Sequence, residues 1–291
     1  MREVFTMWRD GRMVALTAVI TAVYMTGLIP FKGFAIVPGF TEIRPANVLP
    51  VVLGLLFGPA AAWGAGFGNL FSDAFGGTLT AGSTFGFVGN FFSAFVAYKL
   101  WGNLGRLSSG EKPKMRSVSQ LVEYGVISFV AAATTATIIS WGVDLLGLFP
   151  FSVFAIIITL NNFLAAAILG PILLYVLYPR FEAAELLYTD ILAQGDDFET
   201  PARQRQIPAI GIAVVSVSWL VVGILVGVVV EGVPFGVPAS GIVLGTGGSM
   251  VQTAIGAVAF ALILGFSAMT GSKTTLGLPG SRGAKRAERR G

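Results

Sequence analysis

The chain has no cysteine, no histidine and few charged residues. The absence of cysteine excludes disulfide bonds and thiolate metal ligands, and the absence of histidine removes the commonest general base and the commonest metal ligand. Charged residues make up 12% of the 291 residues, whereas a soluble domain carries about 25%. So few charges cannot cover the surface of a protein of this length in water.

The residues that are present indicate a membrane protein. Hydrophobic residues make up 54% of the chain, and its 38 glycines and 23 phenylalanines suit closely packed transmembrane helices. A helix needs about 20 apolar residues to cross a bilayer. The first apolar stretch is long enough and no cleavage motif is evident, so we expect no cleaved signal peptide. The apolar stretches are Arg12 to Pro30, Asn47 to Gly77, Gly82 to Trp101, Val118 to Trp141, Phe151 to Tyr178, Pro208 to Val230 and Met250 to Thr270.

The second apolar stretch is predicted to form two short antiparallel helices. Gly58 and Pro59 lie in its middle, and proline breaks helices. With this break the chain has eight segments, and both termini lie on one side together with every lysine and arginine except Lys32 and Arg44. The positive-inside rule assigns that side to the cytoplasm. A re-entrant hairpin has the same parity and stays open as an alternative.

This topology places a group of polar residues in the outer half of the bundle. Polar groups in lipid are costly and usually face a cavity or a helix interface. Their convergence from five segments predicts an outward-facing pocket, although bridging between helices explains any single amide equally well. Phe31, Phe34 and Phe40 are candidate lid aromatics, and Phe91 and Trp141 are candidates to stack on a planar ring. The predicted substrate-binding residues are Arg44, Asn47, Asn69, Asp73, Asn90, Trp141, Asp144, Asn161 and Asn162.

Short motifs in the first half of the chain resemble those of a known transporter family. Ala18–Ala22 lies on the first helix and Arg44–Pro50 follows it outside. Gly54–Pro59, Gly66–Asp73 and Phe87–Phe91 come next along the chain. Over about residues 10–180, this order resembles the substrate-binding S component of an energy-coupling factor (ECF) importer.

The resemblance implies a fold, a function and partners. The fold is an all-α polytopic transmembrane bundle, with a six-helix module that binds its solute in the outer half. An Ala-x-x-x-Ala face, here Ala18 and Ala22, then packs against a transmembrane T subunit, and two cytoplasmic ATPase subunits drive toppling of the S component. In an alanine-rich helix the same spacing also arises from packing within one chain. The chain is accordingly expected to be a transport subunit rather than an enzyme, with no cofactor or metal of its own.

The chain continues beyond the six-helix module with two further spans. These can dock on the module, replace contacts with a partner, or mark a branch with a different mechanism. Apolar residues from Phe181 to Leu192 predict one short amphipathic helix packed under the bundle. Gly223 and Gly227 have the spacing of closely packed helices, which we interpret as packing within the chain. The predicted domains are a membrane module at 1–180, a cytoplasmic connector at 181–207, two transmembrane helices at 208–270 and a basic tail at 271–291.

Three classes of function stay open on the residues alone. The first is solute capture for an ATP-driven importer, and the second is a stand-alone secondary transporter or channel coupled through Asp73 or Glu123. A membrane-embedded enzyme ranks last, because the sequence has no paired-carboxylate motif, no histidine and no metal cluster. The lack of histidine also argues against nickel or cobalt and favours an organic micronutrient, either a vitamin, a vitamin precursor or a modified base. The expected location is a prokaryotic plasma membrane, with lipid contacts through the tail and no nucleic acid.

Overall fold

A computed structural model describes residues 1–37, 41–42, 44–192, 202–235 and 244–270. It confirms the predicted all-α fold, a polytopic helical bundle. The loop after the first long helix adds a small antiparallel hairpin, Ala35–Val37 (β1) and Thr41–Glu42 (β2). The α-helices are α1 (Arg2–Thr6), α2 (Gly11–Leu28), α3 (Val48–Phe57), α4 (Pro59–Phe75), α5 (Gly82–Leu100), α6 (Val118–Leu145), α7 (Phe151–Ala183), α8 (Tyr188–Leu192), α9 (Ala202–Leu225, continued by a π-helical turn Val226–Val230) and α10 (Met250–Met269).

Several helices can cross a bilayer, and the protein is a multi-pass membrane protein. In the described part of the chain, five segments are long and apolar enough by length and composition. Between these spans lie the shorter α3 and the glycine-rich α4 and α5. The five segments are Gly11–Gly33, Val118–Leu145, Phe151–Leu192, Arg205–Val230 and Met250–Met269.

The predicted helix break at Gly58 and Pro59 is confirmed. α3 ends at Phe57, Gly58 has φ of 51°, and Pro59 is the first residue of α4. A side chain at Gly58 would also collide, because a Cβ there would lie 2.7 Å from the Tyr188 ring. At 1.5 Å per residue, the 10 residues of α3 span about 15 Å, about half of the hydrocarbon thickness. This length favours the re-entrant hairpin of the two arrangements that the sequence allowed.

The six helices α2 to α7 form the module that surrounds the predicted pocket. α2 packs on α4, α4 on α5, α5 on α6 and α6 on α7, while α3 packs between α5 and α7. The core between them is mainly apolar, but it also buries serine, threonine and asparagine side chains and a few charged groups. These buried polar groups need partners within the protein or a place on a cavity wall.

The connector does not form the single amphipathic helix that its sequence predicts. α7 continues through Pro179 to Ala183, the chain then reverses at Glu185 with φ of 55°, and α8 follows as a separate short helix. The predicted domain boundary at residue 180 therefore falls inside α7. The predicted packing under the bundle is confirmed, because Leu187 and Tyr188 are buried and α8 contacts α2 and α3. Residues 193–201 of the connector and the predicted basic tail lie outside the described residues.

Two buried carboxylates, Glu123 and Glu3, tie the α5–α6 linker and α1 to neighbouring helices. Glu123 accepts hydrogen bonds from the backbone N–H groups of Gly102 (2.6 Å) and Ser109 (2.8 Å), which ties the α5–α6 linker to α6. Glu3 pairs with Lys99 and with the N-terminal ammonium, which ties α1 to α5. Burial alone would raise the pKa of Glu3, but these two positive charges hold it below its usual value.

The two extra helices dock on the six-helix module. α9 and α10 pack on each other and on α6, and α9 also packs on α7. The approach is close where glycines face large side chains: a Cβ would lie 2.1 Å from the Trp141 ring at Gly256 and 2.3 Å from the Phe151 ring at Gly223. A Cβ at Gly227 would lie 2.6 Å from Ser152. The interpretation of the glycine pair as packing within the chain is thus confirmed.

We expect Gly256→Ala to loosen the docking of α10. The added methyl group would overlap the Trp141 ring, and overpacking of this kind costs about 1–3 kcal/mol. Gly265→Ala on the same helix is the matched control, because nothing lies within 4 Å of its Cβ position. Thermal unfolding of the purified protein in detergent should show a lower midpoint for Gly256→Ala only. Equal midpoints for the two variants would contradict the docking.

Candidate functional site

A cavity opens inside the module and gathers most of the predicted site residues. It holds about 650 Å³ of empty space counted to its mouth. A cavity of this size can accommodate a small solute. Seven of the predicted substrate-binding residues line it: Arg44, Asn47, Asn69, Asp73, Asn90, Asn161 and Asn162.

Hydrogen bonds between side chains of four elements form one wall of the cavity. The Tyr24 hydroxyl on α2 lies 2.7 Å from Asn90 Oδ1 on α5 and 3.0 Å from Asn47 Oδ1 just before α3. Asn47 Nδ2 in turn donates to Asn162 Oδ1 on α7, and Asn90 Nδ2 donates to the Gly86 carbonyl at 2.9 Å. The three amides line the cavity, whereas Tyr24 is buried behind them.

An ion pair lies at a second part of the wall. Lys32, in the 3₁₀ turn Ile29–Gly33 that follows α2, donates to Asp73 Oδ1 at 2.6 Å and to the Thr78 hydroxyl at 2.7 Å. Asp73 Oδ2 also accepts from Asn69 Nδ2 at 3.5 Å, and Asn69 Oδ1 accepts from the Arg44 guanidinium at 3.3 Å. The loop after α2 is thereby joined to α4 across the cavity.

The lining also includes apolar side chains and small hydroxyl groups. Ile139 and Val143 come from α6, and Phe154 and Ile158 come from α7. A lining that combines apolar side chains with amides suits a planar ring with polar edges. Within the described residues, no three His, Cys, Asp or Glu side chains come together in a group that could hold a metal ion.

Trp141 and Asp144 are corrections to the predicted site, because neither lines the cavity. The Trp141 indole packs against Trp219 and Phe260 of the two extra helices. Asp144 accepts backbone N–H groups from Phe151 (2.8 Å), Gly248 (3.2 Å) and Ser249 (2.9 Å). Both residues hold α9 and α10 against the module.

The predicted aromatic contacts with the solute are also revised. Phe91 packs in the core against Trp63 and Phe95, away from the cavity lining, and the ring that does line the cavity is Phe154. Among the candidate lid aromatics, Phe31 and Phe34 contact each other outside the lining, and Phe34 is 62% exposed. Phe40 lies outside the described residues.

Sequence reasoning missed two residues that organise the site. Tyr24 reads as one more large side chain on an apolar helix, although it lies on the buried face of α2 with Thr17 and Ile20. The hydroxyl of a tyrosine on such a buried face needs a hydrogen-bond partner, and this is the signal that could have identified Tyr24. In the sequence, Lys32 indicates only which side of the membrane its loop lies on, because its partner Asp73 is distant along the chain.

Ala18 and Ala22 lie on the side of α2 that faces away from the cavity. Both are exposed, together with Val19 and Val23, while Tyr24 points into the module. The predicted partner face is therefore uncovered by the described residues. It forms a stripe of small side chains along the outside of the bundle.

Comparison with protein families decides the class of this site. The model of the QueT transporter family matches residues 14–179, which is more than half of the chain and includes every cavity-lining residue. The chain belongs to the QueT transporter family. This family is an S-component family of the ECF type, so the resemblance drawn from the motifs is confirmed. No curated protein and no solved structure matches the chain. α8, α9 and α10 all lie beyond the matched residues.

We expect Lys32→Met and Asp73→Asn each to lower the free energy of unfolding, and the double variant to lose less than the sum of the two single losses. Each single change leaves a charge with its main partner removed, whereas the double change removes both charges, and the two side chains are each only 11% exposed. A double-mutant cycle on unfolding in detergent should give a coupling of about 0.5–3 kcal/mol.

The pair Lys112 and Glu182 is the matched control for this cycle. Its N–O distance of 2.7 Å is similar, but Lys112 is 42% exposed, so its coupling should be small. Additive effects of Lys32→Met and Asp73→Asn would contradict a structural pairing between the loop and the cavity.

Proposed function

We propose that this QueT protein is the substrate-capture subunit of an ECF importer and binds a queuosine precursor, a 7-deazaguanine base, in the cavity. The observation that carries the proposal is the cavity in the module, whose lining combines amides and a carboxylate with apolar side chains. The proposal names a modified base among the micronutrients that the sequence left open.

The lining suits a planar, nitrogen-rich ring. Asp73, Asn47 and Asn90 offer oxygen acceptors to ring N–H groups, and Arg44 offers donors to a carbonyl. Phe154 and Ile158 supply the apolar surface on which the face of the ring can pack. A site of this kind discriminates by leaving its own polar groups unpaired when the wrong ring binds.

The exposed Ala18 and Ala22 support a partner on the outer face of α2. Small residues four apart allow the backbones of two membrane helices to approach closely. We propose that a transmembrane T subunit packs on this stripe and that cytoplasmic ATPase subunits supply the energy, so that this chain needs no cofactor. The distribution of lysine and arginine supports an orientation in a prokaryotic plasma membrane with both termini in the cytoplasm.

Binding of the base is tested on the purified protein. We expect a 7-deazaguanine compound to co-purify and to be identified by mass spectrometry. Asp73→Ala and Asn90→Ala should each weaken binding by at least about tenfold, since a lost hydrogen bond to a buried group costs about 1–3 kcal/mol. Asn103→Ala is the control, because Asn103 is buried outside the cavity lining and its side chain donates to the Lys99 carbonyl. Retention of a chemically different solute would contradict the substrate.

The partner face is tested by uptake assays with the ATPase and T subunits. We expect the double variant Ala18→Leu with Ala22→Leu to bind the base normally but to lose ATP-driven uptake. The matched control is Ala257→Leu with Ala261→Leu, an exposed alanine pair with the same spacing on α10, which should transport normally. Solute flux through the isolated chain in liposomes without ATP would instead support a stand-alone transporter.

A further inference from the structure

Hydrogen bonds join four side chains in one row, which we call the relay: Asn90, Tyr24, Asn47 and Asn162. The direction of the first bonds follows from the Asn90 end. Asn90 Nδ2 donates to the Gly86 carbonyl, and a backbone carbonyl only accepts. Asn90 Oδ1 must therefore face the Tyr24 hydroxyl, 2.7 Å away. The single hydrogen of the Tyr24 hydroxyl is therefore directed to Asn90 Oδ1.

The middle of the relay has one hydrogen for two acceptors. Asn47 donates its Nδ2 to Asn162 Oδ1, so its own Oδ1 is turned toward Tyr24 at 3.0 Å. A hydroxyl group carries a single hydrogen, and Tyr24 donates it to Asn90 Oδ1, which is the closer of the two acceptors. Asn47 Oδ1 is consequently an acceptor in need of a donor, on the lining of the cavity.

The far end of the relay offers the opposite group. Asn162 Oδ1 is occupied by Asn47, and an amide that accepts through its oxygen still has two N–H donors. Asn162 lines the cavity beside Asn47. The cavity wall thus presents an oxygen acceptor next to an N–H donor.

We propose that this relay reads a lactam edge on the ligand, that is, a ring C=O adjacent to a ring N–H. The Asn162 amide donates to the ring carbonyl, and Asn47 Oδ1 accepts the ring N–H and so gains the donor that Tyr24 cannot supply. Tyr24 is a positioning residue, because it does not line the cavity but its hydroxyl contacts the Asn90 and Asn47 amides at 2.7 Å and 3.0 Å. The inference rests on the proposed function, and a 7-deazaguanine ring has such an edge, whereas 7-deazaadenine has an amino group beside an unprotonated nitrogen.

The test compares the affinities of the purified full-length protein for 7-deazaguanine and 7-deazaadenine. The unmodified protein should prefer 7-deazaguanine by at least about 30-fold, since two mismatched buried hydrogen bonds cost about 1–3 kcal/mol each. Asn162→Asp keeps the acceptor for Asn47 but replaces the N–H donor by an oxygen. This variant should reduce the preference by at least about tenfold.

Two further variants separate the relay from charge and from folding. Asn103→Asp adds the same charge at a buried asparagine of the α5–α6 linker, outside the cavity lining, and it should leave the ratio of the two affinities unchanged. Tyr24→Phe removes only the hydroxyl group. It should lower the ratio of the two affinities as well as the unfolding temperature, because the amide groups that contacted the hydroxyl can then rotate and exchange their oxygen and nitrogen positions. A merely structural tyrosine would change stability without changing the ratio.

The outcomes distinguish the relay from the proposed function. An unmodified protein that binds 7-deazaguanine selectively, with the ratio kept in both Asn162→Asp and Tyr24→Phe, would overturn the relay alone. A preference for 7-deazaadenine would show the reverse polarity, with Asn47 and Asn162 turned over, and would overturn it as well. Binding of neither ring would contradict the proposed function and the relay together.

Discussion

Polar groups inside a bilayer have no water to bind, so each must find its partner within the protein or face a cavity. In this chain that constraint is met by the Tyr24 hydroxyl and the amides around it, which join α2, the start of α3, α5 and α7 at one level of the bundle. The same groups line the cavity, because an amide that is shared between helices still has an oxygen or an N–H left over. The same amide side chains thus hold the module together and offer their remaining oxygen or N–H groups to a solute.

α2 has a special position in this arrangement because its two faces do different things. Its buried face carries Tyr24 into the relay, and the turn that follows it carries Lys32 to Asp73. Its outer face carries the exposed stripe of Ala18 and Ala22. Under the proposed function, one rigid helix therefore touches both the ligand site and the partner.

The parts of the structure that follow from local sequence could be predicted, and the parts that depend on rotation about a helix axis could not. Helix bounds follow from runs of apolar residues, and the break at Gly58 and Pro59 follows from backbone geometry. Seven of the predicted site residues meet at the cavity because depth in the membrane can be read from topology. Trp141 and Asp144 have the right depth but face α9 and α10, and no local pattern reveals where a distant pair of helices docks.

The docking of the extra helices explains why the module can carry them without losing its function as an S component. Asp144 accepts N–H groups from the start of α7 and from the residues just before α10, so one carboxylate anchors the new helix pair to the corner between α6 and α7. Glycines such as Gly256 and Gly223 then let α9 and α10 lie close against that face. Ala18 and Ala22 stay exposed with the pair in place. Because the extension leaves this stripe uncovered, it leaves room for the partner that we propose on α2.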